Sequence, residues 1–309
     1  MGAVTPLLDR PEIAGVLEDP RLLHLAVETA RGPHVTPTAY AVAGGRLWLV
    51  SSRNTVKVRT LRRHPRVSVL VRDGERSVVL SGTAEVLSPW GPGDAMRLAR
   101  NPWWPRALAG YGLRNAALLG GYLVDAAGCT AGSLPHDRVL VGITPQRAML
   151  IEDDQVVRVV GRWPSARRAS SPQRRAGSVH RAVSLDGVPQ RAAATVSASG
   201  GAALGWSTPS GPVVLPANSL EGGATVLVPA QALRVAGAAD GDAACLSFDG
   251  GLALRPTRLA GAMLRGRESI LSRRGALATV ALDVERVSWW SGFRTGTVQI
   301  AARAARAAA

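Results

Sequence analysis

Acidic residues, aromatic rings and cysteines are all scarce in this chain of 309 residues, and lysine is nearly missing. Against 22 Asp and Glu stand 37 Lys and Arg, for a formal net charge of +15, and Lys57 is the single lysine. Two cysteines, Cys129 and Cys245, are too few for a disulfide framework or a cysteine metal site, which suits a reducing cytoplasm. Aromatics make up 4%, and no helix-turn-helix, zinc-finger or stacking-sheet pattern accompanies the arginines. Clustered cations can release counterions from nucleic acid, but here they spread through both halves and read as a solvated surface. The five histidines show no metal-ligand spacing, and no nucleophile motif or carboxylate pair stands out. The segment Met1–Arg10 lacks the basic-then-apolar layout of a signal peptide. The most apolar stretch, residues 107–127, is broken by Arg114 and Asp125 and reads as a packed helix pair. A membrane span needs about 20 uninterrupted apolar residues.

The lone lysine is the feature to explain. An ammonium is a compact point charge, whereas a guanidinium is a planar fork, so a site that keeps Lys among arginines asks for the point charge. Leu47–Val50 reads as the end of a strand. Ser52 or Asn54 can cap a helix start, and residues 55–63 form a short helix with Val58 and Leu61 on its inner face. Pro65 ends it, and Val67, Val69 and Val71 alternate as the next strand. Lys57 therefore falls in the first turn of a helix behind a Ser-Ser-Arg-Asn-Thr loop. Free N–H groups and the helix dipole at such a terminus attract anions. Hydroxyls, amides and one ammonium meet there, as a phosphate site requires.

This pattern resembles the pyridoxamine-5'-phosphate-oxidase-like split-barrel family, which includes FMN enzymes and a deazaflavin-dependent branch. The likeness extends from about His24 to Val160 and includes His34-Val-Thr-Pro37, Leu61-Arg-Arg-His-Pro-Arg66, Ser81-Gly-Thr-Ala-Glu85 and Val139–Ala148. The resemblance implies that Lys57 binds a cofactor phosphate, with Ser51, Ser52, Thr55 and Arg59 beside it and Thr36 and Pro37 along the ring. It implies FMN as cofactor, or the deazaflavin coenzyme F-420, whose polyglutamate tail would meet Arg53, Arg59, Arg62 and Arg63. Val56 stands where vitamin B6 oxidases place an arginine, which removes one phosphate donor. Hydride transfer needs no protein nucleophile, because the cofactor carries the chemistry.

The chain also matches itself. A shift of 179 positions carries Gly32-Pro33 onto Gly211-Pro212, Thr29 onto Thr208, Ser68 onto Ser247 and Gly82 onto Gly261. A shift of 139 carries Ile143–Ile151 onto Leu282–Trp290. At the first shift Lys57 becomes Ala236 and the helix becomes Ala-Gly-Ala-Ala-Asp-Gly-Asp, a poor helix former. The expected fold is mainly β with helices (α+β): two tandem FMN-binding split barrels, the second degenerate. The expected domains are residues 1–161, a basic flexible linker at 162–177, and residues 178–309. The expected function is a flavin- or deazaflavin-dependent oxidoreductase with one cofactor per chain and a small-molecule substrate. The chain would be a monomeric pseudo-dimer or a homodimer, cytoplasmic, with no metal and no membrane partner. The alternatives are a non-catalytic flavin or haem carrier, and a nucleic-acid-binding protein using the basic linker.

Overall fold

The computed structural model of the protein describes residues 6–88, 92–127, 137–163, 183–198, 201–220, 223–251 and 255–300. The expected linker lies almost wholly outside them, as does Cys129. The chain enters through helix α1 (Pro11–Glu18), which buries Ile13, Val16 and Leu17 at helical spacing on one face. There follow β1 (Leu22–Thr29), β2 (Gly32–Ala39), β3 (Ala41–Ala43), β4 (Arg46–Ser52), α2 (Val56–Arg63), β5 (Arg66–Asp73) and β6 (Arg76–Leu87). An insertion of α3 (Pro92–Ala99), α4 (Trp104–Arg114) and α5 (Ala116–Ala127) precedes β7 (Arg138–Glu152) and β8 (Gln155–Val160). The second half has α6 (Gln190–Ser197), β9 (Gly201–Thr208), β10 (Gly211–Ser219), β11 (Thr225–Pro229), α7 (Ala230–Ala236) and β12 (Ala243–Asp249). Three long strands close it: β13 (Ala260–Arg274), β14 (Leu277–Ser291) and β15 (Arg294–Gln299).

The first sheet runs β2-β1-β5-β6-β7-β4-β3, with β8 on β7; the second runs β11-β10-β9-β12-β13-β14-β15. Apart from the short β3, the orders agree strand for strand. They differ in closure. β11 bonds to both β10 and β14, so six strands form a complete ring. In the first half β4 pairs with β7 and β3, and the seam between β2 and β4 has no ladder. The mainly β architecture of two split barrels is the one the sequence reading expects.

Equivalent hairpins repeat at the expected shift. Thr29 pairs with Gly32 and Thr208 with Gly211, and each threonine Oγ1 donates to that glycine's carbonyl at 2.7 Å. Both glycines take positive φ, +88° and +115°, a region glycine enters without a Cβ clash. The gapless register ends before β12: Ala26 pairs with Ser68, but its counterpart Gly205 pairs with Cys245, so Ser68 matches Cys245 and not Ser247, and Ser81 opposite Ser68 matches Arg265 opposite Cys245. The counterpart of Gly82 is therefore Gly266 and not Gly261. Each sits at a β-bulge, and a methyl group there would overlap a carbonyl oxygen, Thr144 or Asp283 respectively.

The helix expectation also needs correction. A helix does form in the second barrel, but earlier, because β11 enters α7 with no loop between them. Gly237 then caps α7 with a left-handed φ of 72°. Lys57 is the second residue of α2, so its counterpart is Gln231 rather than Ala236.

Strands buried on both faces hold the halves together. Leu25, Val27, Val69, Val71, Val78 and Leu80 fill the first barrel. The alternate residues Ala26, Leu70 and Val79 join the core of the second. β10 packs across β5 and β1, and β2 packs across β12 and β9, which are equivalent pairs about an approximate two-fold axis. Polar ties cross the same surface: Ser207 Oγ donates to Glu28 at 2.8 Å, and Val214 N to Ser68 Oγ at 3.2 Å. The tryptophans are packing groups. Trp48, Trp103, Trp289 and Trp290 lie against Gly142, Gly44, Gly296 and Gly261. Trp48 fills the gap between sheet and insertion helices, its Nε1 donating to Ala43 O at 2.9 Å.

Candidate anion site between the barrels

β4 ends in Ser51 and Ser52, and the chain turns through Arg53–Thr55 into α2. Thr55 is the N-cap: its Oγ1 accepts from Val58 N at 3.5 Å and donates to Ser52 O at 2.9 Å. Ser51 Oγ lies 3.2 Å from Thr55 Oγ1, so the two hydroxyls form one cluster. The loop is pinned to the start of β7, where Arg53 N donates to Asp137 O at 2.8 Å.

Lys57 reaches across the unpaired seam, and Nζ donates to Thr38 Oγ1 on β2 at 2.7 Å. Its side chain is half-buried and has no carboxylate partner among the described residues. Burial pulls its pKa down to about 8, with repulsion from Arg138 added. Further along β2, burial pulls the His34 imidazole down to about 3, with Arg265 and Lys57 adding to the effect, so His34 is neutral. Its Nδ1 contacts the guanidinium of Arg265, which comes from β13 of the second barrel.

Arg265 stands opposite Arg286 on β14. The Nε atoms of both are buried without a partner, and so is Thr36 Oγ1. A row of donors thus runs from Lys57 past His34 to Arg265 and Arg286. Unpartnered buried donors are costly, and an anionic ligand would satisfy them.

The insertion helices brace this region. Arg138 Nη2 donates to Tyr122 on α5 at 3.2 Å. On the same helix Asp125 accepts from Arg255 Nε at 2.7 Å and Thr257 N at 2.9 Å, both in the second barrel. Residues 107–127 thus form two helices, as the broken apolar run implies, with Tyr111 and Asp125 buried and Leu113, Leu123 and Val124 exposed. No helix among the described residues is long and apolar enough to cross a membrane.

Of the residues singled out in the sequence, Ser51, Ser52, Thr55 and Lys57 come together on one loop and helix turn. Thr36 and Pro37 lie on β2, the strand that Lys57 touches. Arg59 stands exposed and makes no side-chain hydrogen bond among the described residues. Sequence reasoning placed the Thr38 backbone along the ring but missed its side chain as the partner of Lys57, and it missed Arg138, Arg265 and Arg286. The last carried a weak signal, since the 139-residue shift pairs it with Arg147.

Fold and site together define a split-barrel pair with the single lysine at the open seam of the first barrel. Residues 9–118 match the family model described as pyridoxamine 5'-phosphate oxidase. Among solved structures, the chain is similar to a FAD-binding protein from Mesorhizobium loti (27% identity, 44% of this chain and 89% of that one, TM-score 0.31). It is also similar to a pyridoxamine 5'-phosphate oxidase-related, FMN-binding protein from Nostoc punctiforme (15% identity, 48% and 85%, TM-score 0.34). A third is the haem storage protein HutZ from Vibrio cholerae (18% identity, 46% and 93%, TM-score 0.33). No curated protein matches the chain.

Proposed function

We propose that the chain is a flavin- or deazaflavin-dependent oxidoreductase with one cofactor site, anchored at Lys57 and walled by the second barrel. The half-buried Lys57 ammonium, at the start of a helix and with no acidic partner among the described residues, carries this reading. In it, Lys57, Ser51, Ser52, Thr55 and the α2 amides hold a phosphate. The backbone of residues 35–38 and 48–52 borders the ring, with Thr36 Oγ1 supplying a hydrogen bond. Arg265 and Arg286 present positive charge from the second barrel, where negative charge would gather on a reduced ring. When bound, FMN or the coenzyme F-420 supplies hydride transfer. The exposed Arg59, Arg62 and Arg63 suit the acidic tail of F-420. The chain would act as a monomeric pseudo-dimer in a reducing cytoplasm, a setting that suits the free, buried Cys245.

The test is a fluorescence titration of the purified chain with FMN and with F-420, with Lys57→Ala run in parallel. Saturation at one cofactor per chain, lost in the variant, is the expected result. Equal binding by both proteins would refute the site. Sustained reduction by a nicotinamide and reoxidation by an organic acceptor then separate an enzyme from a carrier.

A further inference from the structure

Across the approximate two-fold axis from Lys57, the barrels leave an open cleft of about 810 Å³. Ser81 and Gly82 of β6 and Arg147 of β7 line one side, Pro209 and Ser210 of the β9–β10 hairpin the other, and Arg66 and Arg162 the rim. These are the counterparts of the arginine wall. Ser81 precedes the Gly82 bulge as Arg265 precedes Gly266, and Arg147 lies opposite Ser81 as Arg286 lies opposite Arg265. A small hydroxyl therefore stands where the other site carries a guanidinium that reaches His34.

The cations of the cleft are braced and unopposed. Arg147 Nη2 donates to Ser81 Oγ at 3.2 Å, its Nη1 to Arg162 O at 3.4 Å, and its guanidinium lies 5.0 Å over the Trp163 ring. Arg66 Nη1 donates to Pro209 O at 3.5 Å. No Asp or Glu lines the cleft, and none of the three arginines has an ion-pair partner among the described residues. Burial and the neighbouring Arg66 hold Arg147 below the usual arginine range, a mark of like charges facing one another. Convergent fixed guanidiniums in a concavity attract phosphate and carboxylate groups. The volume falls within the roughly 300–1,000 Å³ of small-molecule sites, and the proline and glycine walls can border an organic body.

We propose that this cleft is a second ligand site, distinct from the one at Lys57, which takes a small organic anion bearing phosphate or carboxylate groups. It is not a second copy of the cofactor site. The serine loop is missing there, since β11 enters α7 directly, and Gln231 holds the lysine position.

Calorimetric titration of the intact chain with pyrophosphate and with citrate tests the proposal, using wild type, Arg66→Gln, Arg147→Gln and Lys57→Ala. One anion should bind at one per chain beyond any uptake at Lys57. It should weaken at least about tenfold in either arginine variant and change less than about twofold in Lys57→Ala. Arg66 is exposed, so its variant guards against a folding defect at Arg147, and thermal unfolding of each checks this. Whichever anion binds more tightly identifies the recognised group. Three outcomes would overturn the proposal: no heat with either anion, binding untouched in both arginine variants, or binding lost only in Lys57→Ala. Each can be told from failure of the cofactor reading, because the Lys57→Ala effect on flavin titration reports on Lys57, while Arg66→Gln and Arg147→Gln report on the cleft.

Discussion

The first barrel is open at the β2–β4 seam and has the Ser51–Thr55 loop before α2; the second is closed by β11 and has no loop between β11 and α7. Backbone pairing in the closed barrel satisfies the edge of β10 with Asn218 and Ser219, against Leu227 and Val226. In the open barrel no such ladder spans the seam, and the bond from Lys57 to Thr38 crosses it instead. An edge left unpaired is a structural cost, and a site that binds a ligand is a reason for keeping one. Under the proposed function, closure and binding would compete for the same seam.

The largest expected effect tests whether the barrels share one frame. Gly82→Ala and Gly266→Ala should each destabilise the chain by about 3 kcal/mol, because the new methyl group meets a fixed carbonyl. Urea unfolding measures both, and a cost confined to one would break the equivalence of the bulges. Next comes binding. Lys57→Ala should weaken the cofactor by about 1.5–3 kcal/mol, the worth of a charged hydrogen bond, while Gln231→Ala leaves titration unchanged.

A smaller contrast lies at the interface. Ser68 Oγ donates to Leu80 O and accepts from Val214 N, both at 3.2 Å, whereas its counterpart is the thiol of Cys245, and Ser247 Oγ two residues on is buried without a partner among the described residues. Ser68→Ala should cost about 1–2 kcal/mol and Ser247→Ala almost nothing. Val35 N, the counterpart of Val214 N, donates to Met263 Sδ at 3.4 Å instead.

The finest contrast is in pH. Burial lowers Lys57 from 10.5 to about 8, so its contribution to the stability of the free chain is full above 10.5 and lost as pH falls through about 8. Burial raises Glu268 in the second barrel from 4.5 to about 9, so its contribution is full below 4.5 and lost as pH rises through about 9. Chemical denaturation across pH should show opposite slopes, the first removed by Lys57→Met and the second by Glu268→Gln. Cofactor affinity should also decline above about pH 8 as the ammonium empties.

Local signals made much of this legible in the sequence. Alternating valines, the Ser-Thr loop before a short helix and the stop at Pro65 each act within a few residues, and the observed β4, α2 and β5 lie close to the expected bounds. The repeat exposed the second barrel, but a fixed shift cannot register changes in loop length. It therefore misplaced the counterparts of Ser68, Gly82 and Lys57. The arginine wall was hidden for a different reason: Arg265 meets His34 only after two barrels pack, and neither residue is unusual in its own strand. Trp48 could face sheet or flavin on alternation alone, and packing against Gly142 decided it.

The two walls of the candidate site belong to one polypeptide. In a pair of identical chains any substitution appears twice, once in each symmetric pocket, so neither pocket can change without the other. Here Ser81 and Arg265 hold equivalent places as separate codons, and each can be replaced alone. Dilution cannot part the walls either, so occupancy should depend on ligand concentration and not on that of the protein. One pocket is free to keep an inherited task while its twin is released for another.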